Sequence, residues 1–222
     1  MRSLFILTAL IFAISAHARS TTAGWLLLIS GDYHGDEAPD KPGTGWLALT
    51  SVGGVWRLEP AIVRATRVYD AVLDAEGEKT GINISSNYGD AVALLKFPGI
   101  KPGKIDTPIM KFKDSPRLLS TRDTPLKIPF KGEDYLIEAK TSGIYLRKGK
   151  VKTLLPRLSA GSPASDDSAS LLWAGDIDGD GKLDLLFTYS GYNNGGVCLY
   201  LSASASEGAL VQQAACHGGV GC

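Results

Sequence analysis

Apolar and β-branched residues occur along this chain in short runs bounded by glycine, proline and polar residues. Runs of this kind predict strands, at residues 24–29, 46–50, 55–58, 61–69, 81–85, 91–97, 126–130, 135–140, 144–147 and 151–155, with more within 170–201. The 26 glycines and 11 prolines suit the many turns that such a fold needs. We therefore expect a mostly β protein of about 10–12 short antiparallel strands, forming a sandwich or an irregular, blade-like barrel.

The most specific pattern lies between two of the predicted strands, where four aspartates are spaced by two, two and four positions. A loop that curls around a cation points alternate residues inward, and Gly181 stands where the chain must turn sharply. Calcium accepts six to eight oxygen ligands at flexible angles, whereas magnesium demands a stricter octahedron, so this DxDxDGxxD loop predicts bound Ca²⁺. The predicted ligands are the side chains of four aspartates and one backbone carbonyl: Asp176, Asp178, Asp180, Asp184 and the carbonyl of Lys182.

The loop differs from an EF-hand in its twelfth position and in its flanks. Phe187 stands where an EF-hand carries a bidentate glutamate, so we expect water or other groups to complete the ligand set and the affinity to be modest. The flanking runs, residues 170–174 and 183–189, are too short and too rich in strand-forming residues for EF-hand helices.

Residues 173–187, a Tyr-Asn loop at 192–193 and a Leu-Tyr-Leu-Ser strand at 199–202 resemble an FG-GAP or VCBS-type repeat. Such repeats occur in integrin-like propellers and in many exported bacterial proteins. The resemblance covers residues 171–201 and implies that the four aspartates bind calcium and that the hairpin is a blade-like unit. Only one good copy is present, and a propeller needs at least about four blades, so we expect the unit to serve another β architecture.

The N-terminus has the pattern of a secretory signal. Arg2 precedes an apolar run at residues 4–14, and Ala16-His17-Ala18 is a small-x-small cleavage site. The apolar run is shorter than the roughly 20 residues that span a bilayer, which disfavours the alternative of a membrane anchor. We expect residues 1–18 to be removed and the protein to be exported, to the periplasm or outside the cell, with no later transmembrane segment.

The mature chain, residues 19–222, is predicted to form a single all-β domain, with a possible weak subdomain boundary in the proline-rich connection at 98–108. Removing Arg2 leaves a formal net charge of −1, because the full chain has 23 basic and 23 acidic residues. This balance offers no basis for nucleic-acid binding.

The segment from Asp32 to Asp40 partly matches the aspartate loop. It also follows a leucine-rich run that contains tryptophan, but Glu37 replaces the turn glycine and Pro39 falls within the segment. Both differences disfavour the calcium conformation, so we favour an acidic linker over a degenerate second ion loop.

Three cysteines lie near the C-terminus, at Cys198, Cys216 and Cys222. An exported protein can pair two of them, and three pairings are possible. A short, glycine-rich segment separates the last two, whereas Cys198 lies in a predicted strand and could remain a buried thiol. Sequence alone leaves the choice open.

No hydrolase or phosphate-binding motif accompanies these features. His34 and His217, the two histidines beyond the predicted signal, are both expected in surface loops. We therefore expect a non-catalytic calcium-binding protein that binds a protein or glycan at the cell envelope, with the ion in a structural role. The alternative is a secreted or periplasmic hydrolase or inhibitor whose site is assembled from scattered residues.

Overall fold

The computed structural model describes residues 26–108, 117–159 and 167–220, and these residues form seventeen strands and no helix. The fold is mostly β and antiparallel, as the sequence pattern predicts, with more strands than the expected number. Within these ranges no helix is long and apolar enough to cross a membrane. The predicted signal, residues 1–18, lies outside the described residues.

The first half of the chain contributes eight strands: β1 (Leu27–Leu28), β2 (Gly31–Tyr33), β3 (Trp46–Val52), β4 (Val55–Ala61), β5 (Val63–Val68), β6 (Gly81–Ser86), β7 (Ala93–Leu95) and β8 (Gly103–Lys104). They form two antiparallel sheets. Sheet 1 has the order β2-β6-β5, and sheet 2 has the order β1-β7-β3-β4-β8.

The second half contributes nine strands: β9 (Arg117–Leu118), β10 (Leu126–Phe130), β11 (Glu133–Lys140), β12 (Gly143–Lys148), β13 (Val151–Leu155), β14 (Ser168–Gly175), β15 (Asp184–Gly191), β16 (Asn194–Leu201) and β17 (Gln212–Val220). Sheet 3 has the order β17-β16-β15-β14-β9, and sheet 4 is the meander β10-β11-β12-β13. None of the four sheets closes into a barrel within the described ranges.

The sheets stack in numerical order, because each neighbouring pair shares one hydrophobic core. Trp46 and Ala48 of sheet 2 pack with Ile82 and Ile84 of sheet 1. The opposite face of sheet 2 packs on sheet 3, and the far face of sheet 3 packs on sheet 4. The molecule is therefore a sandwich extended to four layers, with sheets 2 and 3 inside.

Burial on both faces explains why the central strands contain continuous apolar runs instead of alternating apolar and polar residues. In β15, Leu185 and Phe187 face the core shared with sheet 4, whereas Leu186 faces the core shared with sheet 2. All three side chains are fully buried. A strand in a sheet with one solvent-exposed face would alternate apolar and polar positions instead.

A disulfide joins Cys198 of β16 to Cys216 of β17, its direct partner in the strand register. Of the three pairings that the sequence leaves open, the structure has this one. Cys222 lies outside the described residues. The bond connects an edge strand to its neighbour in sheet 3, on the side that packs toward sheet 4.

The proline-rich connection at 98–108 is tied into the layers. Its Gly103 and Lys104 form β8, and Ile105 is buried in the core between sheets 2 and 3. Asp106 then forms an isolated bridge with Asp176, beside the aspartate loop.

The layered arrangement predicts that neighbouring residues of β15 are equally sensitive to truncation. Leu185→Ala and Leu186→Ala should each lower the free energy of unfolding by about 2–5 kcal/mol, because each leaves a cavity in a different core. Ser190→Ala, an exposed position in the same strand, should change it by no more than about 0.5 kcal/mol. Urea denaturation measures all three. If Leu186→Ala costs as little as the serine control, sheet 3 is not covered on that face.

Candidate metal centre

The aspartate loop connects β14 to β15 at one end of sheet 3. Gly175 and Asp184 are paired in the ladder at its base, so the segment between them is a closed hairpin loop. Gly181 has a φ of 84°, in the left-handed region that favours glycine, as expected for the sharp turn. The hairpin geometry directs several of the aspartates toward one another.

Asp176, Asp178 and Asp184 converge. Each offers one carboxylate oxygen, and these three oxygens lie within 4.8 Å of one another. Within the described ranges, these three residues are the group of acidic, histidine or cysteine side chains that lie close enough together to hold a metal ion. All three ligand groups are carboxylates. Carboxylate oxygens suit hard cations such as calcium, magnesium or manganese better than they suit soft ones.

Asp184 is the most deeply buried of the three. Its Oδ2 accepts a hydrogen bond from the Ile177 amide at 2.8 Å, and its Oδ1 accepts bonds from the Ser202 amide at 2.8 Å and the Ser202 hydroxyl at 3.0 Å. Burial raises the pKa of this carboxyl to about 7, although these hydrogen bonds oppose the shift. The three bonds fix its orientation on the loop.

Asp176 and Asp178 each keep one buried oxygen without a hydrogen-bond donor among the described residues. Asp176 Oδ2 accepts bonds from the Gly181 amide and from Lys131, and Asp178 Oδ1 accepts one from the Asp180 amide. The other oxygens, Asp176 Oδ1 and Asp178 Oδ2, are buried and have no partner. Burial, with the neighbouring carboxylates, raises the pKa of Asp178. Such oxygens are costly unless a cation compensates them.

Asp180 and Lys182 are placed differently from the other predicted ligands. The Asp180 carboxylate accepts a bond from the Ser202 hydroxyl at 3.0 Å and from the Lys182 amide at 2.8 Å, and it is not part of the group of three. The Lys182 ammonium lies 3.6 Å from Asp180 and is largely exposed. Ser202 thus binds both Asp180 and Asp184, a role that the sequence did not suggest. The predicted contribution of the Lys182 carbonyl stays a prediction.

Lys131, at the turn between β10 and β11, is a second residue that sequence reasoning missed. Its ammonium lies 2.7 Å from Asp176 Oδ2 and 3.0 Å from Asp106 Oδ2. These hydrogen bonds raise the pKa of Lys131, so the side chain stays charged. No local sequence signal marks this contact, because 45 positions separate Lys131 from Asp176.

The backbone of Asp106 also approaches the loop. The Asp176 amide donates to the Asp106 carbonyl at 2.9 Å. A Cβ on Gly175 would lie only 2.7 Å from that carbonyl oxygen and 2.5 Å from the ring of Trp173. Glycine at position 175 is therefore required for this close approach.

The segment from Asp32 to Asp40 contributes nothing to the metal group, and it packs instead against β17. Glu37 accepts bonds from the His34 amide and from the Val220 amide. His217, expected in a surface loop, is a buried residue of β17. Its Nδ1 accepts from the Ile29 amide, and its Nε2 lies 3.2 Å from the Glu37 carbonyl oxygen. Burial lowers the pKa of His217, which favours the neutral ring.

His34 is held by a buried carboxylate. Its Nδ1 lies 2.7 Å from Asp70 Oδ2, and Asp70 Oδ1 also accepts bonds from the Val72 and Leu73 amides. The hydrogen bond with Asp70 raises the pKa of His34. Burial acts to raise the pKa of Asp70, but these three hydrogen bonds outweigh it and lower that pKa.

Comparison with known proteins adds no relative to this chain. No family model matches it, no curated protein matches it, and no solved structure matches it. The resemblance to FG-GAP and VCBS-type repeats therefore depends on the pattern within residues 171–201.

The pair of His34 and Asp70 predicts a pH-dependent contribution to stability. Because the pKa of His34 is raised in the folded state, its contribution is fully present below about pH 6.5, the unfolded-state pKa, and is lost as pH rises through the folded-state value. The unfolding free energy of the wild type minus that of His34→Gln should therefore shrink as pH rises above about 6.5. Denaturant unfolding of both proteins at a series of pH values measures this difference. A difference that stays constant with pH would show that the pair does not titrate.

Proposed function

We propose that this chain is an exported, non-catalytic calcium-binding β-protein in which the ion stabilises the loop between β14 and β15. The observation that carries the proposal is the convergence of three carboxylates, two of which keep a buried oxygen with no hydrogen-bond donor in the part of the chain that the structure describes. A bound cation would compensate for both the missing hydrogen bonds and the mutual repulsion.

The choice of calcium follows from the ligand set. The loop offers carboxylate oxygens from three converging aspartates, and any further ligands of a bound ion would be water or backbone carbonyls. Calcium tolerates such irregular shells of six to eight oxygens, whereas magnesium requires near-ideal octahedral geometry. The absence of a bidentate glutamate at position 187 supports an affinity in the weak range of extracellular calcium modules.

A structural role for the ion follows from the position of the loop. Its two strands lie in sheet 3, between two cores, and Ser202 ties the loop to the end of β16. Without an ion the like charges of the three aspartates repel one another in a mostly buried setting. Ion binding should therefore stabilise the hairpin and, through it, the layers packed on either side.

A binding role at the cell envelope, to a protein or glycan, is the second part of the proposal. Two exposed tyrosines support it, since aromatic side chains are enriched where proteins bind partners. Tyr192 is 86% exposed at the tip of the hairpin between β15 and β16, and Tyr69 is 55% exposed beside Asp70. The turn at the other end of β15 from the proposed calcium loop thus carries a candidate contact residue.

Calcium should raise the melting temperature of the wild type. At one hundred times the dissociation constant the expected gain in unfolding free energy is about 2.7 kcal/mol. Asp178→Asn should remove this gain and, because it also removes a buried charge, should raise the melting temperature measured in chelator. Differential scanning calorimetry with calcium, with magnesium and with chelator measures each effect.

Two control variants accompany that experiment. Glu207→Gln removes one negative charge from an exposed loop and should keep the full calcium response, as should His34→Ala. A wild-type melting temperature that stays flat up to about 10 mM calcium, above the weak extracellular range, would show that the loop does not use the ion.

Export can be tested separately. When the full chain is expressed in a bacterial host, the secreted or periplasmic protein should begin at Arg19, because the small-x-small motif ends at Ala18. N-terminal sequencing or intact mass spectrometry identifies the first residue. Recovery of the chain only in the cytoplasm, with Met1 or Arg2 at its start, would contradict export.

A further inference from the structure

We propose that Lys131 is a built-in counter-ion that weakens the affinity of the aspartate loop for calcium and keeps the loop folded when the ion is absent. This inference rests on the proposed calcium function and adds a residue outside the loop that sets its affinity. Lys131 comes from sheet 4, whereas the loop belongs to sheet 3.

The contact geometry supports this role. The Lys131 ammonium binds Oδ2 of Asp176 at 2.7 Å, while Oδ1 of the same carboxylate is buried without a donor among the described residues. One carboxylate of the metal group is therefore also bound to a cationic side chain. The Asp176 side chain is only 4% exposed and the Lys131 side chain is 39% exposed, so water reaches this pair mainly from the side of the lysine.

Lys131 is the first residue of the two-residue turn between β10 and β11. It has a φ of 47°, in the left-handed region that a non-glycine side chain rarely adopts. Its ammonium lies over the Phe130 ring at 5.4 Å from the centroid, and the Asp106 carboxylate also binds it. The lysine thus connects sheet 4, the segment after β8 and the loop of sheet 3.

The electrostatic consequence has opposite signs in the two states of the loop. Without calcium, the ammonium offsets part of the repulsion among Asp176, Asp178 and Asp184. With calcium, the same fixed charge repels the divalent ion. Lys131 should therefore lower the affinity for calcium and reduce how far the fold depends on it.

Isothermal titration calorimetry with calcium tests the proposal on the full mature chain. Lys131→Met keeps the aliphatic stem but removes the charge, so its dissociation constant should fall about tenfold relative to the wild type. Its melting temperature in chelator should also fall, so that the rise produced by calcium becomes larger. Lys131→Arg keeps the charge and should keep the affinity of the wild type.

The matched control is Lys127→Met, which removes a lysine of β10 whose partner is Asp134, away from the loop. Its calcium affinity should match that of the wild type. If Lys131→Met does not fold, Lys131→Asn repeats the test, because asparagine tolerates the left-handed backbone. Equal or weaker calcium binding by the uncharged variant would overturn the role of Lys131 while wild-type binding upholds the calcium site. A wild type that binds no calcium would overturn both.

Discussion

Burial of sheets 2 and 3 on both faces is the constraint on which the rest of this structure depends. A strand with apolar side chains on both faces needs a covering layer on each side, and sheets 1 and 4 supply those layers. In strands β14 to β17 of sheet 3 the one acidic or basic residue besides histidine is Asp184, and it stands at a strand end. The turn from β14 to β15 is such an end, and it gathers the carboxylates that the strands could not accommodate.

The same layering sets the electrostatics of the loop. Asp176 and Asp184 are nearly as buried as core residues, so their charges are stabilised by fixed donors instead of by water. Backbone amides, the Ser202 hydroxyl and the Lys131 ammonium serve this purpose, and they come from three different parts of the chain. These donors fix the orientation of a group of carboxylates that could hold a metal ion.

The sequence predicts those parts of the structure whose cause is local. Runs of large apolar residues gave most strand positions, and the aspartate spacing with Gly181 gave the loop. The sequence pattern did not predict β17, because Gln212–Val220 has small and polar residues. This strand is held by its ladder with β16 and by the disulfide. The sequence pattern also missed Lys131 and Ser202, since their roles arise only when distant segments meet. Long-range contacts of this kind leave no periodic signal.

The edges of the four sheets have a consequence for how the protein behaves in concentrated solution. The unpaired backbone groups of an edge strand can pair with a strand of another chain. Several edges of these sheets are short or carry proline, which limits such pairing. The edge strands β1, β8 and β9 are two residues long, and β10 carries Pro129. The edge strands β5 and β13 are longer, with six and five residues, and they carry basic side chains at Arg64, Arg67 and Lys152. The nine-residue β17 is the longest edge strand, and the segment around Ile29 and Glu37 lies across it through hydrogen bonds with His217 and Val220. The seventeen strands of the described residues thereby leave few long, uncovered edges to which another chain could add a strand.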